Sequence, residues 1–412
     1  MEIKCYSLSV PIKQRLGKLI KSLRQYYYDD ARKENGQNDN PYTKINFCKD
    51  ICHYHTLTKL ENSCVREDYI YHQLLKRLGL RFQIREEVHE ANMLVVRKLA
   101  FQYLDALEYY ESKYYEEIEN KLIEVNNDCL ASLHLEALIF SYDAFYKHQF
   151  DKKLIVKFEK IIDVFEEIYQ GIIYLTIGFS FHRKMELTTA EKYYLKAIEI
   201  FQTFKLNIGL IYFPLGNLYI EMKNYYDALQ ICNILEEYYI KTSNRNRLLI
   251  IYLCLIDYYL FINSLELAQK YTEEVETLLK PEDNYYMWIL NCKWGEYELR
   301  HYRESQALDY FKKAHNVCQN RDRKLMIINR ILMCLSLLKA PTEVLNKYLN
   351  EGYHYYLYAN DLEKQIFTYF INKINNRPQY YKYVHEIIFP QIKNKIKYHV
   401  MTLFFYRDMY IR

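Results

Sequence analysis

The sequence predicts an all-α protein in which a small helical head is followed by a long row of helical hairpins. Three observations lead there. Glycine and proline are scarce, 9 and 7 among 412 residues, which leaves too few turn formers for a sheet protein with many tight turns. One 12-residue spacing recurs four times between residues 171 and 317. Finally, residues 1–81 carry 15 lysines and arginines against 9 acidic residues, whereas the rest of the chain is close to neutral. A chain this long exceeds what one compact core usually supports, so several domains or an elongated array are expected.

In chain order, Leu16, Leu19, Ile20 and Leu23 are helix-spaced, with Lys13, Arg15, Lys18, Lys21 and Arg24 between them. A polar loop from Asn35 to Pro41 follows, and Thr43 is a good N-cap for a short helix from Lys44 to Lys49. A tight turn leads to a second short helix, about Tyr54 to Glu61, and Ile70, Leu74, Leu75 and Leu78 mark a closing helix. The stretch Thr43–Asn62, with Thr56-Leu57-Thr58-Lys59-Leu60-Glu61-Asn62 at its end, resembles the lambda-repressor/Xre class of helix-turn-helix. Leu16 to Arg24 resembles that family's first helix. Lys44 stands where the family has Gln, Asp50 where it has the turn Gly, and Ser63 where it has the Gly after the recognition helix. About a dozen extra residues separate helices one and two. The resemblance implies that Lys44, His53, Tyr54, His55, Thr56, Thr58 and Lys59 face double-stranded DNA, the lysines on phosphate and His53, Tyr54 and His55 toward base edges. The basic balance of this segment agrees with a nucleic-acid-binding head.

Further along, Tyr174, Ile177, Gly178 and Phe181 precede Ala190 and Tyr194. Tyr212, Leu215, Gly216 and Tyr219 precede Ala228 and Cys232. Tyr252, Leu255, Ile256 and Tyr259 precede Ala268 and Thr272, and Trp294 and Gly295 precede Ala307 and Phe311. The Gly position stands 12 residues before the Ala position each time, while successive Ala positions are 38, 40 and 39 apart. Fixed spacing inside a unit and slack outside it is the mark of hairpins whose helices touch at small residues. The pattern is that of tetratricopeptide repeats with a longer period, so a right-handed TPR-like α-solenoid is expected. Ala190, Tyr194, Ala197 and Phe201 share one helix face. Leu138, Phe145, Phe158 and Ile161 fit the same frame upstream, and helices from Leu325 and from Pro341 suggest another hairpin downstream. The expected organisation is a head over 1–82, connecting helices over 83–128, repeats over 129–379 and a helical cap over 380–412. The 46 tyrosines suit such an array, with ring area between helices and the hydroxyl at a polar edge.

On the first helix of each repeat, the position after the Gly and those three and four further on point into the groove. They are Phe179, His182 and Arg183; Asn217, Ile220 and Glu221; Asp257, Leu260 and Phe261; and Glu296, Leu299 and Arg300. The polar members, His182, Arg183, Asn217, Glu221, Asp257, Glu296 and Arg300, suit an extended peptide. The order of parts resembles the RRNPP peptide-responsive regulators of Gram-positive bacteria and their phages, the PlcR, PrgX, Rgg and arbitrium-receptor kind. That resemblance implies a homodimeric transcription regulator whose solenoid senses a short signalling peptide, as in quorum sensing. The alternative is a TPR adaptor that binds a partner protein and carries a degenerate head.

Other chemistry is not expected. Cys48, Cys52, His53, His55 and Cys64 lack a standard zinc spacing, no Gly loop could cradle a phosphate, and no nucleophile-and-base motif appears. An enzyme, a cofactor and a metal are therefore not anticipated. The start, Met1 to Cys5, has no sustained apolar core behind it. The best apolar run, Leu325 to Leu338, is interrupted by Asn329 and Arg330 and is shorter than the roughly 20 residues a membrane span needs. With ten scattered cysteines read as small hydrophobes, the expected location is the cytoplasm, away from membrane.

Overall fold

The computed structural model describes residues 7–35, 40–109, 111, 113–206, 208–222, 224–375, 380–392 and 399–410. Among them every regular element is helical, and the one β feature is an isolated antiparallel bridge between Phe82 and Asp128. No described helix is long and apolar enough to cross a membrane. The chain divides into two compact units, residues 1–231 and 232–412.

The first unit opens with the head: α1 (Val10–Asn35), α2 (Lys44–Cys48), α3 (Tyr54–Asn62) and α4 (Asp68–Arg77). Thr43 caps α2 as its sequence position predicts, its hydroxyl oxygen accepting the Asn46 amide at 3.2 Å. The polar loop before it falls partly on residues 36–39, outside the described residues. After the head come α5 (Glu86–Glu108), α6 (Tyr115–Glu124), α7 (Cys129–Tyr146), α8 (Lys152–Lys160) and a 3₁₀ turn (Ile162–Val164). Next are α9 (Glu167–Arg183), α10 (Leu187–Thr203), α11 (Ile208–Glu221) and the first part of α12 (Tyr225–Lys241). Both α5 and α6 pack on α7, α7 packs on α9, and α5 also reaches α11. The segment between head and repeats is therefore itself a layer of the stack.

The second unit continues with α13 (Arg245–Phe261), α14 (Leu265–Leu278), α15 (Asn284–Arg300), α16 (Glu304–Val317), α17 (Arg321–Leu337), α18 (Thr342–Tyr353) and α19 (Asp361–Ile374). Neighbouring helices pack in series, as a TPR-like α-solenoid requires. The chain then forms α20 (Tyr380–Tyr383), a π turn (Val384–Ile388), α21 (Phe389–Ile392) and α22 (His399–Tyr410). Phe404 and Phe405 of α22 sit edge-on to Tyr369, while Asp408 accepts from Tyr369 and pairs with Lys373. The last hairpin is covered.

The small residues of the repeat sit where two helices of one hairpin touch. A Cβ added to Gly178 would lie 2.7 Å from the Tyr194 ring, and one on Gly295 would lie 2.8 Å from Phe311. Ala190, Ala268 and Ala307 are fully buried, as is the whole Ala190, Tyr194, Ala197, Phe201 face. The turns use a device the sequence hides. Four first helices, α9, α13, α15 and α17, end on a left-handed residue that is not glycine: Met185 (φ 64°), Asn263 (φ 60°), Tyr302 (φ 61°) and Lys339 (φ 53°). The next amide returns to the carbonyl five residues back, as Glu186 does to Phe181 at 3.0 Å and Arg303 to Glu298 at 3.0 Å. These are Schellman closures that accept a conformational cost of about 1 kcal/mol each.

Polar groups inside the stack are matched. Tyr103 Oη and Ser141 Oγ are 2.8 Å apart, and Tyr169 donates to the Val96 carbonyl at 2.7 Å. His134 is fully buried with both ring nitrogens assigned. Its Nδ1 donates to the Leu130 carbonyl at 2.7 Å, and its Nε2 accepts the Glu166 amide at 3.2 Å. A proton on Nε2 would set N–H against N–H. Burial, the larger cause, acts with this arrangement to hold the imidazole down to about 4.

Two predictions follow from the packing. The unfolded chain takes up a proton near pH 6.5, before the folded His134 does. Stability should therefore be full above about pH 6.5 and fall toward pH 4, by roughly 3 kcal/mol in all at 1.4 kcal/mol per unit. Urea unfolding at pH 7.5, 6 and 5 measures the slope, and His134→Gln should flatten it. Gly295→Ala should overpack the seam against Phe311 and cost about 1–3 kcal/mol, read as a lowered urea midpoint of the second unit.

Candidate functional site

The head holds its α3 through one close approach and one buried ion pair. A Cβ on Gly17 of α1 would collide with the Leu60 carbonyl of α3, so only glycine lets these helices cross here. Alongside, Arg24 Nε meets Glu61 Oε1 at 2.6 Å with both side chains buried, and Arg24 Nη1 donates to the Tyr42 carbonyl at 3.1 Å. The turn between α2 and α3 carries Asp50 at φ 62°, the left-handed conformation expected of the glycine position. Helix α4 clamps that turn. Arg77 donates to the carbonyls of Phe47 at 2.6 Å and Lys49 at 2.5 Å, and Tyr69 donates to that of Ile51 at 2.9 Å.

Helix α3 presents the residues assigned to DNA as follows. His53, Tyr54, His55 and Lys59 are exposed, and Thr56 and Thr58 are half-buried. His53 is the N-cap, its Nδ1 accepting the His55 amide at 3.4 Å. The His53 and Tyr54 rings lie 4.5 Å apart and those of Tyr54 and His55 3.9 Å, so three rings cluster at the helix start. Lys44 is drawn inward. It donates to Thr58 Oγ1 at 3.1 Å and lies 3.6 Å from Glu61. Thr58 in turn donates to the Tyr54 carbonyl at 3.0 Å. The aromatic cluster and Lys59 are thus free to meet a ligand, whereas Lys44 and Thr58 already have partners. Among the described residues no group of histidine, cysteine and acidic side chains is arranged to hold a metal. Burial and the nearby Cys48 push the Cys52 thiol up to about 11.

The head docks on the first repeats within its own unit. Lys160 of α8 pairs with Asp29 of α1 at 3.0 Å, and Tyr26 donates to the Lys153 carbonyl at 3.4 Å. Glu166, at the start of α9, is shared: Arg97 of α5 grips it with two hydrogen bonds of 2.7 Å, and Arg15 of α1 lies 3.8 Å away. Burial works against its ionisation, but Arg97, His134 and Arg15 outweigh this and hold its carboxyl below the usual range. Motif reading overlooked Glu166, Arg97 and Arg77, because none of them belongs to a repeated or familiar pattern.

The groove residues are mostly tied to neighbouring helices. In the first unit His182 lies 3.5 Å from Glu221 and 3.2 Å from the Tyr194 hydroxyl, Arg183 is exposed, Asn217 and Ile220 are half-buried, and Phe179 stacks on Phe145 at 4.5 Å. In the second unit Asp257 pairs with Lys293 at 3.3 Å, Glu296 with Arg330 at 3.3 Å, and Arg300 donates to the Leu260 carbonyl at 3.4 Å. Leu260 and Leu299 are core residues and Phe261 is exposed. Arg330 is the centre of a buried set: it also lies 3.7 Å from Glu363, whose carboxylate accepts from Asn329 at 2.7 Å. Burial opposes the Arg330 charge, yet Glu363 and Glu296 more than restore it. The two polar residues that interrupt the Leu325–Leu338 run are therefore a buried joint between repeats.

No family model matches the chain, and no curated protein matches it. Among solved structures it is similar to the apo form of the quorum sensor NprR from B. thuringiensis, with a TM-score of 0.59 and 14% identity over 73% of this chain and 88% of that one. It is also similar to a signal transduction ATPase with numerous domains that has a tetratricopeptide repeat sensor, from Pyrococcus horikoshii. There the TM-score is 0.46 at 13% identity, over 97% of this chain and 68% of that one. The first likeness supports the fold: an all-α chain of the TPR-like solenoid class.

Breaking the buried joint should be costly. Glu363→Ala leaves Arg330 short of a counter-charge and Asn329 short of an acceptor, and should destabilise the second unit by about 3 kcal/mol. Replacing Arg330, Asn329 and Glu363 together by apolar residues should cost less, as chemical denaturation would show.

Proposed function

We propose that the protein is a transcription regulator in which the helix-turn-helix head binds operator DNA. In this reading the solenoid senses a short signalling peptide and mediates dimerisation. The observation that carries the reading is the exposed face of α3. The rings of His53, Tyr54 and His55 at the start of α3 and Lys59 in its last turn lie open on a helix that Gly17, Arg24 and Arg77 hold in a helix-turn-helix frame. Such a face offers a phosphate contact together with groups for base edges. The likeness to a quorum sensor, covering 88% of that protein's chain, supports assigning the solenoid a sensing role. A peptide that prefers one arrangement of the helices would shift the placement of the heads by that difference in affinity.

The satisfied groove favours a second reading. His182, Asp257, Glu296 and Arg300 already have partners inside the chain, as befits an adaptor whose ligand is a larger protein surface.

The test is duplex binding by fluorescence anisotropy across a salt series, using fragments of the source genome. The wild-type chain should bind with a steep salt dependence. Lys59→Ala should lower the slope of log affinity against log salt by about 1, and Tyr54→Ala should weaken binding at constant slope. Thermal melts would show that the variants remain folded. A wild-type chain without salt-sensitive duplex binding would sink this reading in favour of the adaptor.

A further inference from the structure

We propose that the outward face of α5 is the seam of a homodimer, formed by two copies of this helix packed antiparallel about a two-fold axis. Helix α5 packs on α7 and reaches α11 in the first unit. One side, with Met93, Val96, Ala100, Tyr103 and Leu107, is buried. The opposite side is uncovered and apolar in its middle. Leu94 is 67% exposed, Val88 47% and Val95 40%, and Ala91 is exposed as well. An array end normally presents a polar outer face, since apolar area left there costs solubility. In the second unit the last hairpin has such a cover in α22. Helix α5 has none.

The face is complementary to itself. Glu87, Ala91, Leu94 and Lys98 follow at steps of four, three and four and so lie along one line of the helix. Read backwards, the order is cation, large, small, anion. About an axis between Asn92 and Met93, Leu94 of one copy lands on Ala91 of the other, a large residue on a small one. Glu87 then meets Lys98 of the second copy, twice by symmetry. A parallel pair would instead set Glu87 on Glu87 and Lys98 on Lys98. Among the described residues neither Glu87 nor Lys98 has an ion-pair partner within the chain, and both are exposed.

One helix face buries less than the about 800 Å² per partner of a standard stable interface, so the dimer exchanges with monomer in the micromolar range. The seam deepens the dimer of the proposed function and rests on that reading only for its purpose, because it needs neither DNA nor peptide to form. Sedimentation equilibrium of the full chain is the test. The wild type should show a reversible monomer–dimer equilibrium. Leu94→Glu should weaken it at least tenfold, as should Glu87→Lys or Lys98→Glu alone, because each single swap opposes like charges. Glu87→Lys combined with Lys98→Glu should restore it to within about threefold. Leu94, Glu87 and Lys98 are exposed, so melting curves should be unchanged. A wild type that stays monomeric to about 100 µM overturns the proposal and leaves the face to a different protein. A dimer indifferent to Leu94→Glu, or one that the double swap fails to rescue, overturns it too. Loss of duplex binding with the dimer intact would bear on the head alone.

Discussion

The structure depends on one repeated constraint, the close contact of a residue lacking side-chain bulk with the facing helix of its hairpin. Gly178 lies under Tyr194 and Gly295 under Phe311, with Ala190 and Ala307 completing the approach. A hairpin that closes this tightly buries a ring on both sides and leaves the outer faces of its two helices for the next hairpin. Where Ile256 takes the Gly position, the neighbouring Ala268 is still fully buried, so the contact survives with one small partner. Everything else in the stack is adjustable. The links between hairpins vary in length, and the polar joints differ from layer to layer.

Those joints set the character of the two units. In the first, Tyr103 meets Ser141, Tyr169 the Val96 carbonyl and His134 two backbone groups, beside the Arg97–Glu166 ion pair. In the second, Arg330 lies between Glu296 and Glu363, beside the neutral pair of Trp294 and Thr272. Buried charge pairs add little net stability over apolar packing but penalise any register other than the native one. In a repeat array, where each helix resembles its neighbours, that penalty is useful.

Much of this was legible in the sequence, and the parts that were not share a cause. The 12-residue spacing located every hairpin from α9 to α16, because packing at small residues leaves a periodic trace. Thr43 and Asp50 announced the short helices of the head, since caps and left-handed turns have their own chemistry. The hairpin turns were hidden, because Met185, Asn263, Tyr302 and Lys339 adopt positive φ without the glycine that normally marks it. The groove residues could be placed on a helix face but not paired. Whether Glu296 meets solvent or Arg330 depends on a residue 34 positions away, and no local pattern records that. Arg77, which holds the helix-turn-helix turn from α4, was invisible for the same reason.

Glu166 joins these threads. It stands at the first turn of α9, it is gripped by Arg97 from α5 and approached by Arg15 from α1, and its amide hydrogen-bonds to His134 of α7. A single residue therefore links four separate helices, including the longest one of the head. Moving α9 against α7 would strain the contacts of Glu166 with α5 and α1 alike.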